Sequence, residues 1–549
     1  MSIPTATDIS GDTGSQESLS LAQSWIQKCK KEHKSCNGPA VTLLPHRVLD
    51  LGTVSGPEDA SVRLYLSTGQ YAPYVCLSHC WGGAQHITTT TATLAARQEN
   101  ISWNELPKTF QEVIIFSRRL KIQFIWIDSL CIIQDSETDW ATQAAKMPEI
   151  YENAHVTLAA THSANSSGGC FSRAGAEYKA RGFTVEDRNG QTHELFMRRH
   201  VPHSVLAGWH YKLEIARNYP LLSRAWVLQE RLLSSRVLYF GQHELFWECK
   251  EVAACECSFV DRVKSDQSAK LGHHQRLARN QNNYAELVDQ WHSVVESYTD
   301  LNMTVEKDKF PAISGLAKRM KRMEKTQYQA GLWMDSFVAD MLWKVDYPTD
   351  RPSVWRAPSW SWASVNSPVK YVLELKNENQ QVETYFDILG GQTILASDDD
   401  MGQLSSSYLD IDAVFSVVSI VIYTKPEGSL VSPGPDLFVN GVHFNPKTDS
   451  GLGLSFTKET IKLDCNLPPT TEETSFPGYG LRIGMRPMLC MRFAKVGSYE
   501  YSMLLSCVDY DSAKYDRVGL VMEYRGGGRA RRMPWNDIEN RVRSRIKLV

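Results

Sequence analysis

The sequence predicts an α/β protein with a parallel sheet domain, then a helical connector, then an antiparallel β-rich domain. Three observations carry that prediction. Between about residues 74 and 240, short apolar runs alternate with amphipathic helical patterns, the order that builds a parallel sheet through right-handed crossovers. Three of the runs, 74–83 (YVCLSHCWGG), 122–136 (IQFIWIDSLCIIQDS) and 223–240 (SRAWVLQERLLSSRVLYF), place polar, reactive residues where a strand ends or a helix begins, which is where α/β sheets keep their ligand sites. Beyond about residue 367 the apolar period changes to two, as in half-buried strands. A chain of 549 residues also exceeds what one core organises, so more than one domain is expected.

Residues 1–42 divide into a Ser, Thr, Gly and Asp rich leader, expected to be disordered over 1–20, and a helix over 20–34. That helix carries Cys29 and His33 one turn apart, with Cys36 beyond. The trio could offer three zinc ligands, but no fourth is evident, and buried packing is the favoured reading, so no metal site is assigned.

The sheet domain is expected over 43–257. An apolar strand at 74–77 runs into Ser78, His79, Cys80, Trp81, Gly82 and Gly83, the glycines permitting a sharp exit. Pro107 opens a helix whose Phe110, Val113, Ile114 and Ser117 share a face. The near-continuous apolar run 122–127 reads as a strand buried on both faces, ending in Asp128 and Ser129. Trp140, Ala144, Met147 and Tyr151 recur at helical spacing, with Pro148 expected to kink or divide that helix. Another strand is expected at 155–160. Residues 163–222 break the alternation and read as an insertion, a candidate lid. Ser223 then offers an N-cap to a helix bearing Arg224, Trp226, Gln229 and Glu230, and a strand follows at 236–240.

Composition removes several classes of function. Apolar content of 42%, charged content of 22% and a formal charge of −3 give no general attraction to nucleic acid or anionic membrane. No apolar run is long enough to span a bilayer, and the first twenty residues lack a basic start and an apolar core, so a cytoplasmic location is expected. The twelve cysteines lack the dense spacing of a secreted disulfide scaffold and are expected to be reduced.

The three runs resemble the fungal heterokaryon incompatibility family, the HET domain, in all of its blocks and in their order. The first block is present as Leu77, Ser78, His79, Cys80, Trp81 and Gly82. The second is Trp126, Ile127, Asp128, Ser129, Leu130, Cys131, Ile132, Gln134 and Asp135, continuing through Met147, Ile150, Tyr151, Asn153 and Ala154. The third is Arg224, Ala225, Trp226, Val227, Leu228, Gln229 and Glu230, with 232–234 after it. Ala225 stands where members often carry Gly, and Ile133 where they often carry Asn. The resemblance covers about 43–255, with a weaker likeness at 356–364 (RAPSWSWAS). It implies a role in fungal non-self recognition and cell-death signalling. HET domains in turn are similar to TIR domains, a flavodoxin-like fold in which some members cleave NAD at the nicotinamide glycosidic bond. Ser223, Trp226 and Glu230 approximate the TIR motif, with one extra residue between the Ser and the Trp.

The chemistry this resemblance implies suits the residues. Nicotinamide is a good leaving group and its departure generates an oxocarbenium-like centre, so one placed carboxylate, Glu230, could stabilise the developing charge or grip the ribose. Ser78 and the Gly82–Gly83 turn could meet the pyrophosphate, Trp81 could stack on a base, Asp128 could hold a ribose, and His79 and Ser129 belong to the same candidate substrate-binding set. Arg224 and Trp226 complete the candidate substrate-binding set. NAD would be a substrate, with no tightly bound cofactor.

Plainer readings stand beside these. Glu230 could pair with Arg224 or Arg231 at the surface, Asp128 could cap its turn, and Trp81, Trp126 and Trp226 could simply pack. Cys80 or Cys131 with His79 could instead form a thiolate site for acyl transfer, as in a tailoring enzyme of metabolite biosynthesis. A third reading is a TIR-like assembly module without catalysis, associating into homo-oligomers.

The connector, 258–366, contains an apolar stripe of Tyr284, Leu287, Val288, Trp291, Val294 and Tyr298, with helices expected at 310–320 and 332–345. Lys318, Arg319, Lys321 and Arg322 read as a solvated face. The Trp355, Trp360 and Trp362 segment is expected to pack on the sheet domain. In 367–549, strands are expected at 385–389, 409–415, 417–423, 502–507 and 518–524. Loops of this domain could recognise an unknown protein partner, and Arg525, Arg529, Arg531 and Arg532 could form an anion site or a solvated hairpin tip.

Overall fold

The computed structural model describes residues 8–549 apart from 40, 53–56, 58–59, 84–86, 204–205, 207–216, 263–267, 280–282, 324–326, 373–381, 425–435, 440–441, 445–460, 468–472, 477–480 and 525–541. Two compact units result. The first comprises Met1–Asn283, Leu301–Met303 and Pro311–Arg319, and the second Tyr284–Asp300, Thr304–Phe310 and Met320–Val549. The arginine-rich stretch around Arg529 lies outside the described residues.

In the first unit α1 (Gln16–Glu32) begins earlier than its apolar pattern, because Ser15 caps it by accepting from Ser18 N. The described part of the leader is anchored: Ser10 N donates to Glu256 Oε1 at 2.6 Å and Thr13 N to Ser172 O at 3.0 Å. Then follow β1 (Arg47–Asp50), β2 (Arg63–Leu66), β3 (Tyr74–Ser78), α2 (Lys108–Arg119), β4 (Phe124–Trp126), α3 (Asp128–Cys131), α4 (Glu137–Asn153) and β5 (Val156–Ala159). The expected insertion holds an exposed hairpin, β6 (Arg181–Glu186) and β7 (Thr192–Met197). After it come α5 (Ala225–Leu233), β8 (Arg236–Phe240), β9 (Leu245–Cys249), β10 (Ala253–Cys255) and α6 (Ala269–Arg279).

The sheet is mixed, which corrects the expectation of a parallel one. Its order is β10-β9-β8-β5-β3-β4-β1-β2. Only β8, β5, β3 and β4 run parallel. The β8–β9–β10 meander and the β1–β2 pair add antiparallel margins. The central strands are buried on both faces, and alternate residues divide accordingly: Leu238 and Phe240 join the core under α1, whereas Val237 and Tyr239 join a second cluster with Ala159 and Phe246.

Two local expectations are settled by particular contacts. Helix α4 runs through Pro148 without dividing. Proline forfeits one backbone bond there, and its buried ring packs so closely on Gly315 that a Cβ at 315 would lie 2.4 Å away. Ser223 is not the cap of α5. It ends the 3-10 turn Pro220–Ser223 and turns its hydroxyl back to Pro220 O at 2.7 Å, leaving Arg224 at the cap position.

In the second unit, α7 (Tyr284–Thr299) buries Leu287, Trp291, Val294 and Tyr298 as its stripe predicts. Residues 332–345 are not one helix but the strand Leu332–Trp333, the helix Phe337–Met341 and the strand Trp343–Val345. Trp360 and Trp362 are buried within this unit, Trp362 Nε1 donating to Gly331 O at 2.9 Å, while Trp355 is exposed. The expected strands at 409–415 and 417–423 are one strand, Leu404–Thr424. It pairs with both Val542–Leu548 and Leu481–Val496, and through Tyr499–Asp509 and Lys514–Tyr524 the pairings return on themselves as a closed five-stranded ring. A fully buried Arg517 braces it, bonding Asp464 at 2.8 Å and stacking 3.8 Å over Trp343. Of the basic cluster, Arg319 pairs with Glu152 and Lys321 with Asp400, each at 2.6 Å. Among the described residues no helix is long and apolar enough to cross a membrane.

Candidate functional site

Ser78 is the last residue of β3, fixed opposite Ala159 by the parallel pairing with β5. Its Oγ donates to Glu230 Oε2, which projects from α5. The Tyr151 hydroxyl, from α4, donates to Leu77 O at 3.2 Å and lies near enough to the Glu230 carboxyl to lower its pKa. Glu230 is 6% exposed. Burial raises its pKa most strongly, the Ser78 bond opposes this, the charge of Asp128 adds to it, and Arg224 and Tyr151 oppose again, leaving it at about 7.

A half-buried rim surrounds that acid. His79 is buried edge-on to Phe110, with Nδ1 3.7 Å from Asp128 Oδ1. Trp81 Nε1 donates to Asp128 Oδ2 at 2.8 Å, so the indole is held at its polar end. Asp128 is the first residue of α3 and also accepts from Ser129 N at 2.8 Å, while the cap position is Ile127 and carries no side-chain cap bond. Ser129 is fully buried, and its Oγ has no hydrogen-bond partner among the described residues. Arg224 Nη1 donates to His79 O at 2.6 Å, and Trp226 sits edge-on to Trp140 with ring centres 6.4 Å apart.

Gly82 adopts φ +78°, and a Cβ there would lie 2.4 Å from Asn165 Cβ, so both backbone and space call for glycine. Gly83 is exposed with open space around it.

The three sequence runs therefore meet, and the acid points inward. Surface pairing of Glu230 with Arg231 does not occur, because Arg231 forms a two-bond pair with Glu248 at 2.8 and 2.9 Å, both side chains buried. The thiols are held in their neutral forms: burial raises Cys80 against the opposing charge of Arg224, and burial pushes Cys131 up to about 12. Tyr151 is the group that sequence reasoning missed. It reads as one more member of an apolar stripe, and only its hydroxyl, which needs a partner when buried, could have marked it.

Away from this site, two further clusters each bring four donor atoms within 4.8 Å of one another, Cys29/His33/Cys36/Cys249 and His203/Glu244/Cys255/Cys257.

Residues 74–230 match the family model described as Heterokaryon incompatibility protein (HET). The chain carries a HET domain. The matched span opens on the first residue of β3 and ends on Glu230, so it encloses every group that meets at the carboxyl end of β3. No curated protein and no solved structure matches the chain. The HET match identifies the domain from the same residues that make the buried Ser78–Glu230 contact.

Proposed function

We propose that this HET domain hydrolyses the nicotinamide glycosidic bond of NAD within a fungal non-self or cell-death response, with Glu230 as its catalytic carboxylate. The single observation that carries the reading is Glu230 itself: a buried acid, titrating near neutrality, bonded to Ser78 at the carboxyl end of the first parallel strand. Acids of this kind recur at catalytic centres.

In the reaction the C1′–N bond breaks, its electron pair leaves with nicotinamide, and water adds to the ribosyl carbon with loss of a proton to give ADP-ribose. Ionised Glu230 offsets the positive charge that develops on the ribose. Ser78 holds the carboxylate by donating to it, and Tyr151 packs beside it with its hydroxyl donating to Leu77 O. Trp81, Asp128, Ser129, Arg224 and Trp226, together with the Gly82–Gly83 turn, form the rim that would hold the rest of the dinucleotide. The order of the parallel strands, β4-β3-β5-β8, supports a flavodoxin-like and TIR-like reading, because doubly wound sheets bind ligands where the strand order reverses, here between β3 and β5.

The test is nicotinamide release from NAD by the full-length protein, wild type against Glu230→Gln. Release by the wild type and its loss in the variant supports the proposal. Absence of release from wild-type protein, including under conditions that assemble it, sinks it and leaves an assembly module as the reading.

A further inference from the structure

The N-terminal helix meets the margin of the sheet through Cys29, Cys36 and Cys249, which lie in the buried core, together with the buried His33. Cys29 lies in the last turn of α1, His33 at its C-cap and Cys36 at the end of the 3-10 turn Lys34–Cys36. All three face Cys249, the last residue of β9, and all four side chains are buried. Cys249 Sγ stands 3.2 Å from His33 Nδ1, and the four donor atoms lie within 4.8 Å of one another. Zinc bonds of about 2.3 Å to sulfur and 2.0 Å to nitrogen place tetrahedral ligands roughly 3.5–3.8 Å apart, so this cluster has the required size.

The backbone prepares the sulfurs for a charge. Glu251 N and Val252 N, two and three residues beyond Cys249, donate to its Sγ at 3.5 and 3.2 Å. Such donors stabilise a thiolate, as outer partners of metal ligands do. We propose that Cys29, His33, Cys36 and Cys249 bind one zinc ion tetrahedrally, and that the ion pins α1 to the end of β9. Three thiolates and an imidazole suit zinc, each thiol giving up its proton on binding, and four protein ligands leave no open position, so the site is structural.

The second cluster is carried by its own observation. Glu244 Oε1 is wholly buried and has no hydrogen-bond partner of normal geometry among the described residues. It lies 3.2 Å from His203 Nε2, which is 3.1 Å from Cys257 Sγ, itself 3.5 Å from Cys255 Sγ. Val260 N donates to Cys255 Sγ at 3.4 Å. His203, Glu244, Cys255 and Cys257 form a second zinc site by the same geometry.

Metal content of the full chain, purified without chelator from zinc-supplemented cells, tests both. Elemental analysis should find two zinc ions per chain, and progressive mercuration of the thiols should release them. Cys249→Ser should lose one equivalent, whereas His33→Cys, which preserves a four-ligand set, should keep it. Cys257→Ser should lose the other. Wild-type protein without zinc overturns both sites even if the variants fail to fold. Unchanged zinc in Cys249→Ser overturns the first site and in Cys257→Ser the second. A disulfide between Cys249 and either Cys29 or Cys36 in peptides mapped without reduction likewise overturns the first.

Discussion

The Ser78 hydroxyl donates to the Glu230 carboxylate across 152 residues of chain, joining the end of β3 to the middle of α5 inside the protein. Removing either end of this bond changes the acid in a predictable way. Glu230→Gln keeps the shape and the bond but cannot carry charge, so nicotinamide release should fall by about 10²–10³-fold or more. Ser78→Ala leaves the acid ionisable but less held, and a smaller loss is expected. Equal activity of wild type and Glu230→Gln in an initial-rate assay would remove Glu230 from the chemistry.

The same acid sets a pH dependence. If the ionised form is required, the rate at saturating NAD should rise with pH through about 7, the value at which burial holds Glu230. A rate that is flat between pH 5.5 and 8.5 while release is measurable would contradict this.

Stability should respond in the opposite direction. The pKa of Glu230 in the folded state lies above its ordinary 4.5, so its contribution is fully present below that value and is lost as pH rises through about 7, where a buried charge must form. The loss is on the order of 1–3 kcal/mol by pH 8. Glu230→Gln should therefore gain thermal stability over wild type as pH increases from 5 to 8. A difference in Tm that does not change with pH would refute this, and effects common to both proteins cancel in the comparison.

Arg231, one residue later, points to a different partner. Its pair with Glu248 is completely buried, and Tyr239 and Ser268 also bond that carboxylate. Arg231→Met should destabilise the first unit by about 3–5 kcal/mol, because it strands a buried acid, while replacing both partners with apolar residues should cost much less. Denaturant melts of the single and double variants separate these outcomes.

At the exit from β3, Gly82→Ala combines a strained φ with a clash against Asn165 and should cost about 1–3 kcal/mol. Gly83→Ala meets nothing and should be near neutral. Similar midpoints for the two variants would show that the turn rearranges freely.

Much of this fold is legible in the chain. Pro107 and the stripe of Phe110, Val113 and Ile114 mark α2, and the residues of β8 match their expected strand because five consecutive apolar or amphipathic side chains can only be buried on two faces. Local rules give way where particular contacts, near or far in sequence, claim a residue. Pro148 is expected to kink or divide its helix; the helix continues undivided, with the ring packed against Gly315. Ser223 looks like a cap, yet its hydroxyl closes the preceding turn. The stretch 332–345 is apolar at helical intervals, but its tryptophans are drawn into the core of the second unit.

The sequence by itself determined the HET blocks, their order, and the acid at their centre, because those are properties of short runs whose period and end groups can be read directly. Only the tertiary structure decided who meets whom: that Ser78 bonds Glu230, that Arg231 goes to Glu248, and that Cys249 completes the trio at Cys29, His33 and Cys36. Strand order is the physical reason. Placing β3 beside β5, and β9 at the margin that α1 reaches, brings together side chains separated by tens to hundreds of residues, and no local period records that adjacency.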